Sequence, residues 1–154
     1  MHIIYNFPLM SAFISMIIAQ LMKVPLYWLR YRIWDFRLAM NTGGMPSSHS
    51  AAVTALTTSI GIRYGWDSSM FAIVAVFSAI TMYDATGIRR QAGIHATILN
   101  RITKELSLLT RDETAATQLK ELLGHRKVEV LGGLLLGVSL SCYLYYFVYT
   151  SYIL

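Results

Sequence analysis

The chain has 154 residues, of which 55% are hydrophobic and 14% are charged, and its formal net charge is +5. A mean hydropathy of +0.49 excludes a soluble globular domain and predicts an integral membrane protein. Basic loops beside a bilayer account for the positive charge, so we expect no nucleic-acid partner.

The first predicted element is a membrane span. Residues 1–22 contain no Lys, Arg, Asp or Glu, and about 20 such residues cross a hydrocarbon core. We therefore expect a span over residues 3–22 that ends near Lys23. A cleaved signal peptide is the alternative, but the basic segment that would precede it is missing and the apolar run is too long.

Three further spans are predicted over residues 47–64, 68–83 and 128–150, each with few charges. In the last of them, Gly133 and Gly137 are four residues apart, a spacing that lets another helix approach closely. That helix would belong either to the same chain or to a second copy in a homodimer. The predicted fold is all-α, a single membrane domain over residues 1–154 with about four transmembrane helices.

A helical hairpin is predicted between the third and fourth spans. Apolar residues recur at helical spacing from Ile94 to Leu109, with charged residues between them. Thr110 and Glu113 then form a capping box that begins a second amphipathic helix. We expect this hairpin, over residues 94–123, on the cytoplasmic surface, either as a lid over the site or in the membrane interface.

Basic residues are concentrated in two of the three loops. Eight of the thirteen Lys and Arg lie between Asp84 and Lys127, four lie between the first two spans, and Arg63 lies in the remaining loop. The positive-inside rule places the two basic loops in the cytoplasm and both termini outside. We therefore expect an integral membrane protein with its site on the cytoplasmic side.

The stretch "GGMPSSHS" stands at the start of the second span. Its glycines allow tight turns, its proline suits the first turn of a helix, and Ser47 or Ser48 can cap that helix. The free N–H groups of the helix would then face outward and form an anion site. A capped transmembrane helix explains these residues equally well, but it does not explain His49.

These residues resemble a known superfamily. "MPSSHS" looks like the Pro-Ser-x-His signature of the type 2 phosphatidic acid phosphatases. Together with "YDATGIRRQAG" and "LGHRKVEVLGGLLLG", it is similar to the small divergent branch of that superfamily found in bacteria and plastids. The resemblance extends from about Lys23 to Gly137, and it implies hydrolysis of a lipid phosphate through a phosphohistidine, without a metal or other cofactor. It also implies that the membrane is the bacterial cytoplasmic membrane.

The first superfamily motif is a Lys and an Arg separated by six residues and followed by proline. Lys23 and Arg30 have that spacing, with Tyr31 in place of the proline. The resemblance implies that both cations bind phosphate. Taken alone, a Lys and an Arg at the end of a span are more typical of interfacial anchors.

The second motif covers Ser47, Ser48 and His49, with Ser48 where the main branch usually has glycine. The resemblance implies that the serines and the backbone hold phosphate oxygens and that the histidine protonates the leaving group. Histidine suits this role because it exchanges a proton near neutral pH.

The third motif is usually Arg, five residues, His, three residues and Asp, and two placements compete for it. Arg89 and His95 have the first spacing, but Leu99 stands where the acid belongs. No glycine-rich span follows this placement. His95 is then better explained as a polar residue on the face of the hairpin.

The second placement uses His125 and Glu129. A carboxylate four residues on, one helical turn away, can hold the far nitrogen of the imidazole and leave the near nitrogen to attack phosphorus. We prefer this placement, in which Arg89 or Arg90 is brought back to the site by folding. Asp84 would orient one of these two arginines, or would be an interfacial acid.

The predicted reaction is metal-independent hydrolysis of a phosphomonoester on an anionic lipid. His125 attacks phosphorus, His49 protonates the departing oxygen and the cations gather the phosphate oxygens. Phosphatidylglycerophosphate, phosphatidate and polyprenyl phosphates are all candidate substrates. The alternative is a non-catalytic membrane protein that binds or moves an anionic phospholipid.

Overall fold

The computed structural model describes residues 6–40, 43–110, 119 and 124–149. These residues are all-α, as predicted, and no strand occurs among them. In chain order the elements are α1 (Phe7–Tyr31), a 3-10 helix (Phe36–Met40), α2 (Ser48–Tyr64), α3 (Ser69–Thr86), α4 (Ile88–Thr110), α5 (Lys127–Tyr143) and a π-helical segment (Leu144–Tyr149).

Helix α1 is longer than the charge-free run that predicts it. It begins where the Asn6 side chain accepts a hydrogen bond from the Leu9 N–H at 3.2 Å, and it continues past Lys23 to Tyr31. The sequence predicts that this helix ends near Lys23. It continues instead, because the Lys23 side chain faces the protein interior and does not interrupt the helix. A helix of 25 residues rises about 37 Å, so its basic end extends beyond a hydrocarbon core of about 30 Å.

Helix α2 lies at the centre and packs against α1, α3 and α5. Its contact with α5 is close because Gly133 and Gly137 face it. A methyl group on Gly137 would lie 2.5 Å from the Ala51 carbonyl oxygen and 3.0 Å from the Ala55 nitrogen. The glycine pair thus serves packing within the chain, which was one of the two alternatives left open by the sequence.

Helix α3 returns alongside α2 in the opposite direction. The Thr57 and Ser78 hydroxyls are 2.7 Å apart, and the Ser78 hydroxyl also donates to the Val53 carbonyl at 3.1 Å. These bonds satisfy polar groups that lipid could not. Because of this direction, the last turn of α3 lies at the same end of the bundle as the first turn of α2.

Three helical segments within the described residues are long and apolar enough to cross a membrane: Phe7–Tyr31, Ser69–Glu105 and Lys127–Phe147. The predicted count of four spans is therefore not confirmed. The predicted second span does form a helix, α2, but that helix is shorter and carries several hydroxyl side chains. Three neighbouring helices surround α2, which lets it hold these polar groups away from lipid.

The predicted hairpin begins earlier than residue 94. Helix α4, its first arm, starts at Ile88, directly after Gly87 ends α3. The prediction starts later because the polar first turn of α4 carries no apolar periodicity. The Asn100 side chain donates to the Leu119 carbonyl at 2.8 Å and accepts from the Leu119 N–H at 2.9 Å, so the chain returns along α4 at that point. The rest of the second arm, including Glu113 of the capping box, lies outside the described residues.

Candidate functional site

The N-terminus of α2 is fixed by Ser47. Its hydroxyl accepts from the Ser50 N–H at 3.3 Å and from the Ser50 hydroxyl at 3.0 Å, which caps the helix. Its own N–H donates to the Glu129 carbonyl of α5 at 2.9 Å. Ser47 is fully buried, so in this structure its polar groups hold the start of α2 against α5.

Two predicted site residues, His49 and His125, lie together at this end. Their ring centroids are 6.5 Å apart and the ring planes meet at 74°. His49 is exposed in the first turn of α2, whereas His125 is buried with 6% of its surface accessible. The backbone N–H of His125 donates to the Ala85 carbonyl in the last turn of α3 at 2.9 Å, so three elements converge on the histidine pair.

Lys23 approaches the same end from α1. It is buried, with 3% of its surface accessible, which is rare for lysine without a compensating partner. The Glu129 carboxylate provides the electrostatic interaction that opposes the cost of burying this charge. A methyl group on Gly44 would lie 3.8 Å from the Lys23 Cδ, so the lysine side chain passes directly beneath the glycine loop that precedes α2.

Glu129 has a different local role from the one its spacing predicts. His125 stands before α5, whose N-cap is Arg126, so His125 and Glu129 are not one turn apart on a single helix. The Glu129 carboxylate accepts from the Arg126 N–H at 3.1 Å and so closes the capping box of α5. The Glu129 carboxylate thus joins the start of α5 to Lys23, while the Glu129 backbone carbonyl accepts from Ser47 at the start of α2.

The helix ends that carry the predicted arginine ligands lie at the same end of the bundle, and Arg30 is exposed there. Arg30 is seven residues beyond Lys23 on α1, two helical turns along one face, and its guanidinium carbon is 5.4 Å from the centroid of the Tyr31 ring. Arg89 and Arg90 occupy the first turn of α4, and the Arg90 side chain is exposed. Asp84 precedes them in the last turn of α3 and is half-buried.

His95 lies away from the histidine pair. With Tyr83, Gln91 and neighbouring residues of α3 and α4 it lines an open hollow of about 450 Å³, which neither His49 nor His125 lines. His95 itself is exposed. The fold thus separates the two placements of the third motif in space.

Two contributions to the site were not foreseen from the sequence. The Ala85 carbonyl accepts a hydrogen bond from the backbone of His125, and Gly44 lies against the stem of the Lys23 side chain. Alanine carries no chemical signal, so nothing in the sequence could have singled out Ala85. The second glycine of "GGMPSSHS" was a usable signal, since Gly44 has φ of +95° and thus a backbone conformation that favours glycine.

Side-chain grouping gives no support for metal binding among the residues that the structure describes. Across residues 6–40, 43–110, 119 and 124–149, no three His, Cys, Asp or Glu side chains are grouped so that they could hold a metal ion. The metal-independent reaction nevertheless stays a prediction, because it concerns chemistry that this grouping does not test.

The comparison with known families decides the relationship. The model of the Divergent PAP2 family matches residues 4–140, nearly the whole chain. The chain belongs to this family. It is also 44% identical over 156 residues to the uncharacterized membrane protein YuiD of Bacillus subtilis (strain 168), a match that covers 96% of this chain and 99% of that protein. No solved structure matches the chain.

Membership in the divergent PAP2 family confirms the resemblance drawn from the three sequence motifs. The matched region contains every predicted site residue, from Lys23 to Glu129. The similarity to a membrane protein and the three apolar helices also agree that the chain is an integral membrane protein.

Proposed function

We propose that this protein is a lipid phosphate phosphatase that hydrolyses a phosphomonoester through a phosphohistidine. The observation that carries the proposal is the pairing of His49 with His125, with 6.5 Å between ring centroids, at the N-terminus of α2. A nucleophile and a general acid must reach the same phosphoryl group, and this separation lets both rings contact one.

The first step transfers the phosphoryl group to the enzyme. A nitrogen of His125 attacks phosphorus, the bond from phosphorus to the lipid oxygen breaks, and His49 gives its proton to that oxygen. Burial of His125 and the hydrogen bond from its backbone to Ala85 restrict the position of the ring before attack. Exposure of His49 lets its ring exchange protons with water between turnovers.

The second step returns the enzyme to its starting state. His49, now neutral, takes a proton from a water molecule whose oxygen attacks the phosphohistidine. The bond from phosphorus to the His125 nitrogen breaks, and inorganic phosphate leaves. Both steps place negative charge in front of the first turn of α2, where the helix N–H groups and the helix dipole stabilise it.

Cations complete the proposed phosphate site. Lys23 beneath the glycine loop supplies a positive charge close to the first turn of α2. Arg30 and either Arg89 or Arg90 would contact the phosphate when the lipid binds, since a guanidinium can hold two phosphate oxygens at once. In this proposal Ser48 contacts phosphate through its backbone N–H, while Ser47 supports the cap.

Phosphate release from purified protein tests the function. Phosphatidylglycerophosphate, phosphatidate and a polyprenyl phosphate would be supplied in mixed micelles, with and without vanadate. Vanadate should inhibit, because it adopts the five-coordinate geometry of the phosphoryl transition state and such analogues bind more tightly than substrates. Absence of phosphate release from the whole panel would refute the proposal.

The alternative, a protein that binds or moves an anionic phospholipid without hydrolysing it, has one observation in its favour. The Glu129 carboxylate caps α5 and interacts with Lys23, and neither of these roles requires hydrolysis. Saturable binding of an anionic lipid without phosphate release would support this alternative over the phosphatase.

We also propose that the site faces the cytoplasm, from the concentration of Lys and Arg in two loops. Single cysteines in place of the exposed Lys104 and Asp67, in a chain that lacks Cys142, would report the side of each loop. An impermeant reagent applied to intact cells should label position 67 and not position 104. The reverse result would invert the topology and the leaflet from which substrate arrives.

A further inference from the structure

The connector between α1 and α2 carries an exposed aromatic surface at the same end of the bundle as the histidine pair. Trp28 and Trp34 stack with ring centroids 5.2 Å apart, and Trp34 stacks on Phe36 at 6.1 Å. Trp34 is 57% exposed, Phe36 is 72% exposed and Met40 is 87% exposed. Large apolar side chains exposed together in this way mark an interaction surface.

Basic residues are interleaved with these rings. The Arg32 guanidinium carbon lies 4.9 Å from the centroid of the Trp28 ring, so that arginine is held against the aromatic stack. Arg37 is exposed in the 3-10 helix. Its backbone N–H donates to the Asp35 carboxylate at 3.0 Å, which fixes the start of that helix. Residues 31–40 therefore combine apolar rings, two exposed arginines and one carboxylate that is engaged by the backbone.

We propose that residues 31–40 form a headgroup-binding surface for anionic phospholipids, in the membrane interface of the leaflet next to the histidine pair. Trp34, Phe36 and Met40 would enter the acyl boundary, and Arg32 and Arg37 would bind negatively charged headgroups. This surface does not depend on the proposed reaction, because it applies equally to a protein that only binds its lipid.

Two features favour a lipid surface over other occupants. The connector continues directly from α1, a helix apolar enough to cross the membrane whose length carries its basic end to the interface. A symmetric contact with a second copy would bring the arginines of both chains together, which like-charge repulsion opposes. An anionic leaflet supplies both the apolar depth for the rings and the opposite charge for the arginines.

Fluorescence of Trp34 tests the depth of the connector. The full chain with Trp28→Phe and Trp66→Phe, reconstituted in phosphatidylcholine vesicles with a minor fraction of phosphatidylglycerol, has Trp34 as its one indole. Phospholipids brominated near the headgroup end of the acyl chain should quench Trp34 strongly, and a water-soluble quencher should do so weakly. Strong quenching from water, or protection from both quenchers, would overturn the proposal, the second result by indicating a protein partner.

Headgroup preference tests the role of the arginines. Brominated phosphatidylglycerol should quench Trp34 more than brominated phosphatidylcholine, and that preference should fall about fivefold for each arginine removed in Arg32→Gln and Arg37→Gln. The matched control is Arg63→Gln, which removes an exposed arginine at the far end of α2. An Arg63→Gln effect as large as that of the connector variants would overturn the assignment.

Lysine variants separate charge from loss of fold. Arg32→Lys with Arg37→Lys keeps both positive charges and should keep most of the preference for phosphatidylglycerol, with Trp34 at the same depth. If the lysine pair loses the preference as fully as the glutamine pair while Trp34 stays at that depth, headgroup charge is not what the connector recognises.

Discussion

Two histidines have very different surroundings, one at the contact between α2 and α5 and the other at the junction between α3 and α4. At the first, backbones approach through Gly133 and Gly137, and the buried His125 faces His49 at 6.5 Å between ring centroids. At the second, Gly87 separates the helices, and the exposed His95 borders an open hollow. Motif spacing favours His125 because Glu129 follows it at the position of the acid, and the packing now places His49 beside the same histidine.

The largest expected effect is the difference in activity between the alanine variants of the two histidines. His125→Ala should abolish phosphoryl transfer, with kcat reduced by at least about 10³-fold, because no covalent intermediate can form. His95→Ala should leave turnover nearly unchanged and serves as the matched control. The measurement is phosphate release from the most active lipid, with folding of each variant checked in detergent. An inactive His95→Ala protein beside an active His125→Ala protein would reverse the assignment.

Loss of His49 should have a smaller effect that depends on the leaving group. A general acid contributes about 10²- to 10⁴-fold where the departing oxygen needs a proton. His49→Ala should therefore impair hydrolysis of a lipid phosphate far more than hydrolysis of an activated aryl phosphate. Comparison of kcat/KM for the two substrates measures this difference, since kcat/KM reports transfer of the phosphoryl group to His125 and not its later release by water. Equal losses would leave His49 as a phosphate ligand or a structural residue.

Glu129→Gln should fall between His125→Ala and His95→Ala. The glutamine oxygen can still accept from the Arg126 N–H and preserve the cap of α5, while the negative charge next to Lys23 is removed. Activity should drop while thermal stability in detergent changes little. Glu129→Ala, which also removes the cap, should lose more stability. If Glu129→Gln retains full activity, its charge has no part in the reaction.

The smallest expected effect concerns the packing beneath the histidine pair. Gly137→Ala would bring a methyl group to 2.5 Å from the Ala51 carbonyl oxygen, and overpacking of this kind costs about 1–3 kcal/mol of stability. The neighbouring Gly132→Ala is the control, since its methyl group would meet the mobile end of Met45 at 3.1 Å. Thermal unfolding in detergent should show a lower Tm for Gly137→Ala alone. Equal Tm values would contradict the close approach of α2 and α5.

Much of the fold follows from local signals in the sequence. The predicted start of the second span at residue 47 coincides with the cap at Ser47, because a serine before an apolar run has a direct structural role. Hydropathy predicts too early an end for α1, because lysine is rarely buried and local sequence carries no sign that the Lys23 side chain faces the interior. Helix ends set by tertiary packing are not encoded in local hydropathy.

The site was predictable in type but not in geometry. The motifs identify His49 and His125 as chemically suited residues, yet their proximity depends on three helices meeting at one end. Backbone geometry produces the contact from His125 to Ala85 and the packing of Lys23 under Gly44, and residue type does not predict that geometry. Spacing predicted a helical relation between His125 and Glu129, whereas the capping box begins α5 after the histidine.

The most direct test of the account is to locate the phosphoryl group on the enzyme. The His49→Ala variant would be mixed with an activated aryl phosphate. Transfer of the phosphoryl group to His125 then needs little protonation of the leaving group, while hydrolysis of the phosphohistidine by water is slowed, so the intermediate should accumulate. After an alkaline quench, which preserves phosphohistidine, peptide mapping by mass spectrometry identifies the modified residue. The account predicts phosphate on His125 and none when His125→Ala is added. Phosphate on His95, or turnover without any phosphohistidine, would contradict it.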